Sequence, residues 1–196
     1  SAAYLPEGIG WDPKTFKVPS SYQGRHVSIL FDGIFQQSDV YINGQHLGYR
    51  PYGFCSIEYD MTPYIHYDKE NTIAVRVNTT GGRAGIYRHV WLQAVNPVHV
   101  ATYGTYITTP EINNEKAEIH IVTTLSNKTE KEQTITVLQR VFDATGRQVT
   151  KSNSSQIVIN AGTTVDLTQN FSLSSPQRWS IEEPNMYRME TTVKIG

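Results

Sequence analysis

The sequence predicts an all-β protein, and three features of its 196 residues support that prediction. Apolar and polar side chains alternate in nearly every periodic segment, most clearly over residues 187–195, and this two-residue period is typical of strands that bury one face. No window of helical length carries an apolar stripe with the period of a helix. The 12 tyrosines and the frequent threonine and valine also fit strands, where such residues are enriched.

Five strands and two turns are predicted in the first half of the chain. Asn43-Gly44 predicts a type I′ turn, because both central residues of that turn need a positive φ angle. Residues 60–64 predict a one-turn bend, since Pro63 disfavours helical geometry at the residue before it. Short strands separated by Gly- and Pro-rich loops are typical of a jelly-roll sandwich. The predicted strands are residues 25–31, 38–42, 56–59, 71–77 and 87–95.

The loops become shorter and more regular after Asn96-Pro97, and we place a domain boundary there. The predicted domains are therefore residues 1–96 and 97–196. Six short strands in a domain of about 100 residues predict an immunoglobulin-like β-sandwich. Cys55 is the only cysteine, so an internal disulfide is excluded. The strands predicted in the second domain are residues 98–108, 118–125, 134–142, 156–159, 165–173 and 186–195.

Charge and composition argue against several classes of protein. Lys and Arg number 17 against 18 Asp and Glu, a net charge of -1, and they are scattered, so neither a nucleic-acid partner nor a membrane partner is expected. No apolar run is long enough to span a membrane. The histidines lack metal-ligand spacing and no glycine-rich nucleotide motif occurs, so no metal and no cofactor are expected. No signal peptide is visible, and the location stays open between periplasmic or secreted and cytoplasmic in a bacterium.

Short motifs follow one another in a defined order along the chain. They are Gly10-Trp11, Phe31-Asp32-Gly33, residues 38–44, Tyr52-Gly53-Phe54, residues 71–77 and residues 85–92, followed by Trp179-Ser180 and residues 183–187. In this order they resemble the sugar-binding and immunoglobulin-like domains of family 2 glycoside hydrolases, which include β-galactosidases, β-glucuronidases and β-mannosidases. Pro13 departs from the family's first-strand motif and removes a backbone donor there. The resemblance implies a galactose-binding-like jelly roll followed by an immunoglobulin-like sandwich.

The resemblance also implies that the chain is the non-catalytic N-terminal fragment of a glycosidase. Retaining hydrolysis needs two carboxylates about 5–5.5 Å apart, and family members carry two glutamates in a TIM barrel of about 250 residues. Neither the length nor the strand–helix alternation of a barrel is present. We therefore expect no catalytic residue here and no activity from this chain alone. The full-length protein would be a retaining hydrolase of terminal β-glycosides, with β-galactosidase as first choice.

Partners and one rival function follow from the same resemblance. The expected partners are the protein's own catalytic domain and a carbohydrate substrate bound through that barrel. A second copy of the chain, giving a homo-oligomer, is a further candidate. The alternative function is a free-standing carbohydrate-binding or scaffold protein without a linked catalytic domain.

Four residues are predicted to have specific roles. The loop before Gly85 reaches toward the sugar site in family members, so the resemblance makes Arg83 and Asn78 candidates for facing the substrate. Asp32 follows the predicted strand 25–31 and Arg88 lies near the start of the predicted strand 87–95, and the resemblance places both in nearly invariant motifs. A charge packed among strand residues is tolerated only when it is paired. These two residues are therefore predicted to form a structural ion pair.

Other polar and aromatic residues receive a structural interpretation. Asn114-Glu115 resembles the family's acid/base motif, but we expect it in a hairpin turn. Aromatic rings can stack on the apolar C–H faces of sugars, yet for each ring we expect packing in the sandwich core or against the second domain. The aromatic residues concerned are Trp11, Tyr49, Tyr52, Phe54, Tyr64, Tyr67 and Tyr87.

Overall fold

Antiparallel strands form nearly all the regular structure of this protein. The computed structural model describes residues 8–78, 80 and 85–196, and these form two units that divide between Asn96 and Pro97. Each unit is a β-sandwich without an α-helix in its described part, which confirms the all-β prediction. In the same part of the chain, no helix has the length and apolar character needed to cross a membrane.

The described residues of the first unit form nine strands in antiparallel sheets. One sheet has the strand order β1–β7–β4–β5, a second has β6–β2–β9, and β3 pairs with β8 in a short ladder. This arrangement confirms the predicted jelly-roll sandwich. The strands are β1 (Ile9–Lys17), β2 (His26–Phe31), β3 (Ile34–Phe35), β4 (Ser38–Ile42), β5 (Gln45–Arg50), β6 (Ile57–Asp60), β7 (Glu70–Asn78), β8 (Gly85–Ile86) and β9 (Val90–Val95).

The two larger sheets of the first unit enclose one apolar core. β7 buries Ile73, Val75 and Val77 at alternate positions, and β2 contributes Val27 and Phe31 from the other sheet. Successive side chains of a strand point to opposite faces. The intervening residues of β7 and of its neighbours therefore form the outer face of the four-stranded sheet.

Two local predictions in the first unit are confirmed. Asn43 and Gly44 have φ angles of 49° and 83° and join β4 to β5 as a two-residue turn. Thr62–Tyr64 forms a single 3₁₀ turn. Pro13 is accommodated within β1 because β1 lies at the edge of its sheet, where a residue without an N–H group does not interrupt a central ladder.

The last predicted strand of the first unit is interrupted near its start. The N–H of Asp32 donates a 3.0 Å hydrogen bond to the carbonyl of His89, which continues the register of β2 with β9. Beyond Gly33, the register of β3 with β8 is shifted by one residue relative to that of β2 with β9. Tyr87 and Arg88 therefore both lie opposite Gly33. Two residues opposite one is the arrangement of a β-bulge, which bends a strand and redirects its side chains.

The second unit contains seven strands in two antiparallel sheets. One sheet has the order β10–β11–β15, and in the other β12 pairs with β13, β14 and β16. Seven strands divided three and four confirm the immunoglobulin-like sandwich. Only β13 was not predicted, because four residues with a single apolar side chain show no period. The strands are β10 (Val98–Thr108), β11 (Lys116–Asn127), β12 (Gln133–Phe142), β13 (Gln148–Lys151), β14 (Ser155–Ile159), β15 (Thr164–Ser174) and β16 (Arg188–Ile195).

A polar network lies inside the core of the second unit. The side-chain Nε2 of the fully buried Gln139 donates hydrogen bonds to Thr123 Oγ1 at 3.1 Å and Gln169 Oε1 at 3.2 Å. Its Oε1 accepts a 2.6 Å hydrogen bond from the Thr191 hydroxyl. These partners belong to β11, β15 and β16, so one glutamine joins both sheets. Buried polar groups are costly unless they are bonded, and the network therefore favours one alignment of the sheets.

Candidate functional site

An exposed cluster of aromatic rings lies in the first unit where β3, the residue after β8 and the loop 51–56 meet. We call this cluster the aromatic edge and define it as Phe35, Tyr52, Phe54 and Tyr87. The ring centroid of Phe54 is 5.0 Å from that of Phe35 and 5.7 Å from that of Tyr52. Phe54 is 65% exposed and Tyr52 is 58% exposed. Clustered rings left in solvent provide apolar contact area together with the polar hydroxyl groups of tyrosine.

Two glycines allow the aromatic edge to assemble. A Cβ atom on Gly33 would lie 2.5 Å from the ring of Tyr87, and one on Gly53 would lie 2.6 Å from the ring and 2.9 Å from the Cα of Phe35. Only residues without a side chain permit such close approaches. The Tyr87 hydroxyl also donates a 2.8 Å hydrogen bond to the carbonyl of Gly53. The bulge and the loop 51–56 are thereby held together.

The loop 51–56 has a further attachment at its start. Arg50 Nη2 donates a 3.1 Å hydrogen bond to Cys55 Sγ, and this contact raises the pKa of the Arg50 guanidinium. Burial raises the pKa of the nearby Tyr59, whose ring lies against Gly48. At neutral pH this flank of the loop therefore presents a charged guanidinium beside a neutral phenol.

Asp32 and Arg88 make contacts different from the predicted ones. Asp32 Oδ2 accepts a 2.9 Å hydrogen bond from Trp91 Nε1, and Trp91 stacks on His89 with centroids 5.5 Å apart. The Arg88 guanidinium lies 5.3 Å from the centroid of the Tyr87 ring. The ion pairs between described residues do not include Asp32 with Arg88. The bulge leaves Arg88 exposed, and a charge in water needs no partner.

The two predicted substrate-facing residues lie at and beyond the end of β7. Asn78 Nδ2 donates a 2.8 Å hydrogen bond to Gln37 Oε1, and Asn78 Oδ1 accepts one of 3.0 Å from the N–H of Thr80. Both polar atoms of the Asn78 side chain thus shape the start of the loop that follows. Arg83 lies outside the described residues, and its predicted role stays a prediction.

The expected packing in the sandwich core is wrong for six of the seven residues concerned, and the alternative, packing against the second domain, stays a prediction. Tyr67 packs against the core of the first unit as expected. The exposed residues are Trp11, Tyr49, Tyr52, Phe54, Tyr64 and Tyr87. Aliphatic side chains together with Phe31 and Met61 fill that core. No local pattern in the sequence distinguishes a ring that faces solvent from one that faces the core.

The acidic residues that resemble a catalytic motif lie in turns. The N–H of Glu115 donates a 2.8 Å hydrogen bond to Asn113 Oδ1, within the turn that joins the bridged residues Ile112 and Ala117. This confirms the expected turn. In the part of the chain that the structure describes, no group of three or more His, Cys, Asp or Glu side chains converges as a metal site would require.

The fold and the site together define a class of protein. Two β-sandwiches in tandem present exposed aromatic rings, while the polar groups around those rings are engaged in hydrogen bonds that shape loops. The class that the described residues define is therefore that of tandem β-sandwich proteins. Comparison with known proteins then identifies the family.

A family model described as "Glycosyl hydrolases family 2, sugar binding domain" matches residues 5–88. A second model, described as "Glycosyl hydrolases family 2", matches residues 98–196. The chain belongs to family 2 of the glycosyl hydrolases, as the sequence resemblance predicted.

Individual relatives show the same relationship. Beta-galactosidase BoGH2A of Bacteroides ovatus is 40% identical, with 96% of this chain and 23% of that protein covered. A beta-glucuronidase of Formosa agariphila is 31% identical, and the match covers 95% of this chain and 22% of that protein. The crystal structure of a family 2 member from Bacteroides cellulosilyticus matches with a TM-score of 0.89 at 29% identity, covering 99% of this chain and 28% of that one. A family 2 beta-glucuronidase structure also gives 0.89, at 31% identity with 96% and 22% covered. This chain spans about a quarter of the length of these proteins.

Proposed function

We propose that this chain is the non-catalytic N-terminal part of a retaining exo-glycosidase that removes terminal β-linked sugars, with galactose as the first-choice sugar. The observation that carries the proposal is that two family 2 models match consecutive parts of this chain, while the chain spans only about a quarter of the length of its relatives. The choice of galactose is supported by 40% identity to a beta-galactosidase, against 31% to a beta-glucuronidase.

In this proposal the first unit borders the substrate and the catalytic domain carries out the chemistry. The catalytic domain supplies two carboxylates about 5–5.5 Å apart, one as nucleophile and one as acid and base. The aromatic edge contributes one wall of the sugar site. Arg83 faces the substrate, and Asn78 positions the loop that carries it through the bond to Gln37.

The second unit offers a surface on which we propose that the catalytic domain docks. An open groove of about 250 Å³ there is lined mostly by apolar side chains, among them Ile107, Ile112 and Met189. Trp179 lines the same groove and is 61% exposed. Exposed apolar surface of this kind marks interaction sites. The catalytic domain is the chosen occupant because the relatives' chains are about four times as long as this one.

Hydrolysis assays on two proteins test the proposal. The full-length protein should hydrolyse 4-nitrophenyl β-D-galactoside faster than the corresponding glucuronide, and NMR should show the β-anomer as the first product. The 196-residue chain alone should release no nitrophenol. Hydrolysis by the chain alone, or failure of the full-length protein on every aryl β-glycoside, would contradict the proposal. The second of these results would favour a free-standing binding or scaffold protein.

The docking surface has its own test. Trp179→Arg in the full-length protein should lower its melting temperature and its kcat, because a charge would then lie against the catalytic domain. Tyr103→Arg, at a residue that is 74% exposed and does not line the groove, is the matched control. If instead the 196-residue chain dimerises by itself and Trp179→Arg dissolves the dimer, the occupant of the groove is a second copy.

A further inference from the structure

A row of four side chains crosses the outer face of the four-stranded sheet in the first unit. The register places Trp11 of β1 opposite Arg76 of β7, Arg76 opposite Asp39 of β4, and Asp39 opposite Tyr49 of β5. Residues opposite one another in antiparallel strands point to the same face of the sheet. The row therefore places two charged side chains between two aromatic rings.

The centre of the row is a pre-arranged polar group. Asp39 Oδ2 lies 2.9 Å from Arg76 Nη1, and Asp39 Oδ1 lies 2.9 Å from Nε2 of His46, a residue of β5. The side chains of Asp39, Arg76 and His46 are 16%, 30% and 47% exposed. Among the described residues, neither Arg76 nor His46 has another side-chain hydrogen bond. The remaining guanidinium N–H groups and the second imidazole nitrogen are therefore available to a ligand.

The two flanking rings, Trp11 and Tyr49, are exposed and do not form part of the apolar core. Trp11 is 56% exposed and Tyr49 is 52% exposed, while the same sheet buries Val40 and Val75 on its other face. Tyr41 adds a third ring, with its centroid 5.6 Å from that of Trp11. An exposed tryptophan and two tyrosines around a hydrogen-bonding centre provide stacking faces and polar groups together, as ligand sites do.

We propose that this outer face, formed by Trp11, Tyr41, Tyr49 and the Asp39–Arg76–His46 group, binds a neutral oligosaccharide chain. The carboxylate of Asp39 balances the charge of Arg76, so the surface does not favour an anionic ligand. Three strand intervals separate Trp11 from Tyr49, a span of about 14 Å, which suits several linked sugars rather than one. The sugar rings stack on the aromatic side chains. Their hydroxyl groups accept hydrogen bonds from Arg76 and donate to Nδ1 of His46, because the Nε2 proton of that imidazole is held by Asp39.

This binding activity goes beyond the proposed function, in which the saccharide is bound through the catalytic domain. It requires only the 196-residue chain. Its success or failure is therefore independent of whether the full-length protein hydrolyses glycosides.

Affinity electrophoresis of the 196-residue chain tests the proposal. Native gels contain soluble galactan, arabinoxylan, glucomannan or mixed-linkage β-glucan, and a hyaluronan gel serves as the anionic comparison. At least one neutral polysaccharide should retard the chain. Trp11→Ala and Tyr49→Ala should each raise the apparent Kd about tenfold or more, the loss expected for an aromatic residue at the centre of a binding surface.

A matched control separates this site from other exposed rings. Trp179→Ala removes a tryptophan of similar exposure from the second unit and should leave retardation unchanged. Melting curves check that the variants are folded, and the two substitutions on different strands keep the test valid if one of them unfolds. The proposal is overturned by an absence of retardation in every neutral gel, by unchanged retardation of both variants, or by stronger retardation in hyaluronan. A dimer of the chain that Trp11→Ala dissolves would also overturn it, and would make the face an interface between copies.

Discussion

The hydroxyl of Tyr87 donates a 2.8 Å hydrogen bond to the backbone carbonyl of Gly53. The ring that carries this hydroxyl lies against Gly33, so one side chain contacts two glycines from different parts of the first unit. Tyr87 and Arg88 form a β-bulge opposite Gly33, and a bulge redirects the side chains of its strand. The aromatic edge is therefore assembled by a backbone irregularity and two missing side chains rather than by regular strands alone.

Gly33→Ala should destabilise the first unit by about 1–3 kcal/mol, the usual cost of forcing extra volume into a packed site. The added Cβ would lie 2.5 Å from the Tyr87 ring, which must then move. Urea unfolding followed by far-UV circular dichroism measures the effect. Gly10→Ala is the matched control, because a Cβ there would meet only Val77 Cγ2 at an ordinary 3.6 Å. Equal stability of the two variants would contradict the proposed role of Gly33.

Tyr87→Phe should lower the free energy of unfolding by about 0.5–1.5 kcal/mol, the net value of one hydrogen bond. The ring would remain over Gly33 while the bond to the Gly53 carbonyl is lost. Hydrogen exchange should show faster exchange in the loop 51–56. An unchanged exchange rate in that loop would mean that the hydroxyl does not hold it.

Two substitutions at Asn43 separate the contributions of its backbone and its side chain. Asn43 Nδ2 donates to the Tyr64 carbonyl at 2.8 Å, and Asn43 Oδ1 accepts from the N–H of Thr72 at 2.9 Å. Asn43→Gly keeps the positive φ angle and loses these bonds, with an expected cost of about 1–3 kcal/mol. Asn43→Ala should cost more, because alanine also resists the φ angle of 49°. Chemical denaturation gives both values, and a more stable alanine variant would contradict the argument.

Gln139→Leu should destabilise the second unit by about 1–3 kcal/mol, although leucine is apolar and the site is buried. The substitution removes hydrogen bonds from Thr123, Gln169 and Thr191, and these groups stay in the core. Gln148→Leu makes the same chemical change at an exposed position, and its free energy of unfolding should lie within about 0.5 kcal/mol of the wild-type value. Thermal unfolding by calorimetry compares the two variants. A stabilised Gln139→Leu variant would show that the network is dispensable.

The turn at Asp143 should make part of the stability of the second unit depend on pH. The bond from the Thr145 hydroxyl, at 2.6 Å, is the largest cause that lowers the pKa of the Asp143 carboxyl, and bonds from the N–H groups of Arg147 and Thr145 act in the same direction. A carboxyl with a lowered pKa in the folded state stabilises the fold above its unfolded pKa, near 3.9, and loses that contribution as the pH falls through the folded value.

Asp143→Asn should therefore lower the melting temperature at pH 7, and the difference from the wild type should narrow below about pH 4. Calorimetric scans at pH 7 and pH 3 measure this difference. A gap in melting temperature that is equal at the two pH values would show that the ionised carboxylate makes no contribution.

Strands with clear alternation could be predicted from the sequence nearly to the residue. β4 and β10 have the predicted bounds, and Asn43-Gly44 makes the predicted turn. β4 buries every second side chain and the turn depends on local backbone preference, whereas β10 buries only Val98. The ion pair of Asp32 with Arg88 could not be judged in this way, because a bulge changes which face a side chain occupies without changing the local pattern.

By itself, the sequence determined the fold class of both units and the family, because strand period, turn chemistry and the order of motifs are all local properties of the chain. Tertiary structure alone decided which aromatic rings face solvent, where Tyr87 binds, and that Trp11, Arg76, Asp39 and Tyr49 lie side by side. These last four residues come from four strands that are not all adjacent in the sequence. Only the register of the sheet brings them together, and register is set by the packing of the whole sandwich.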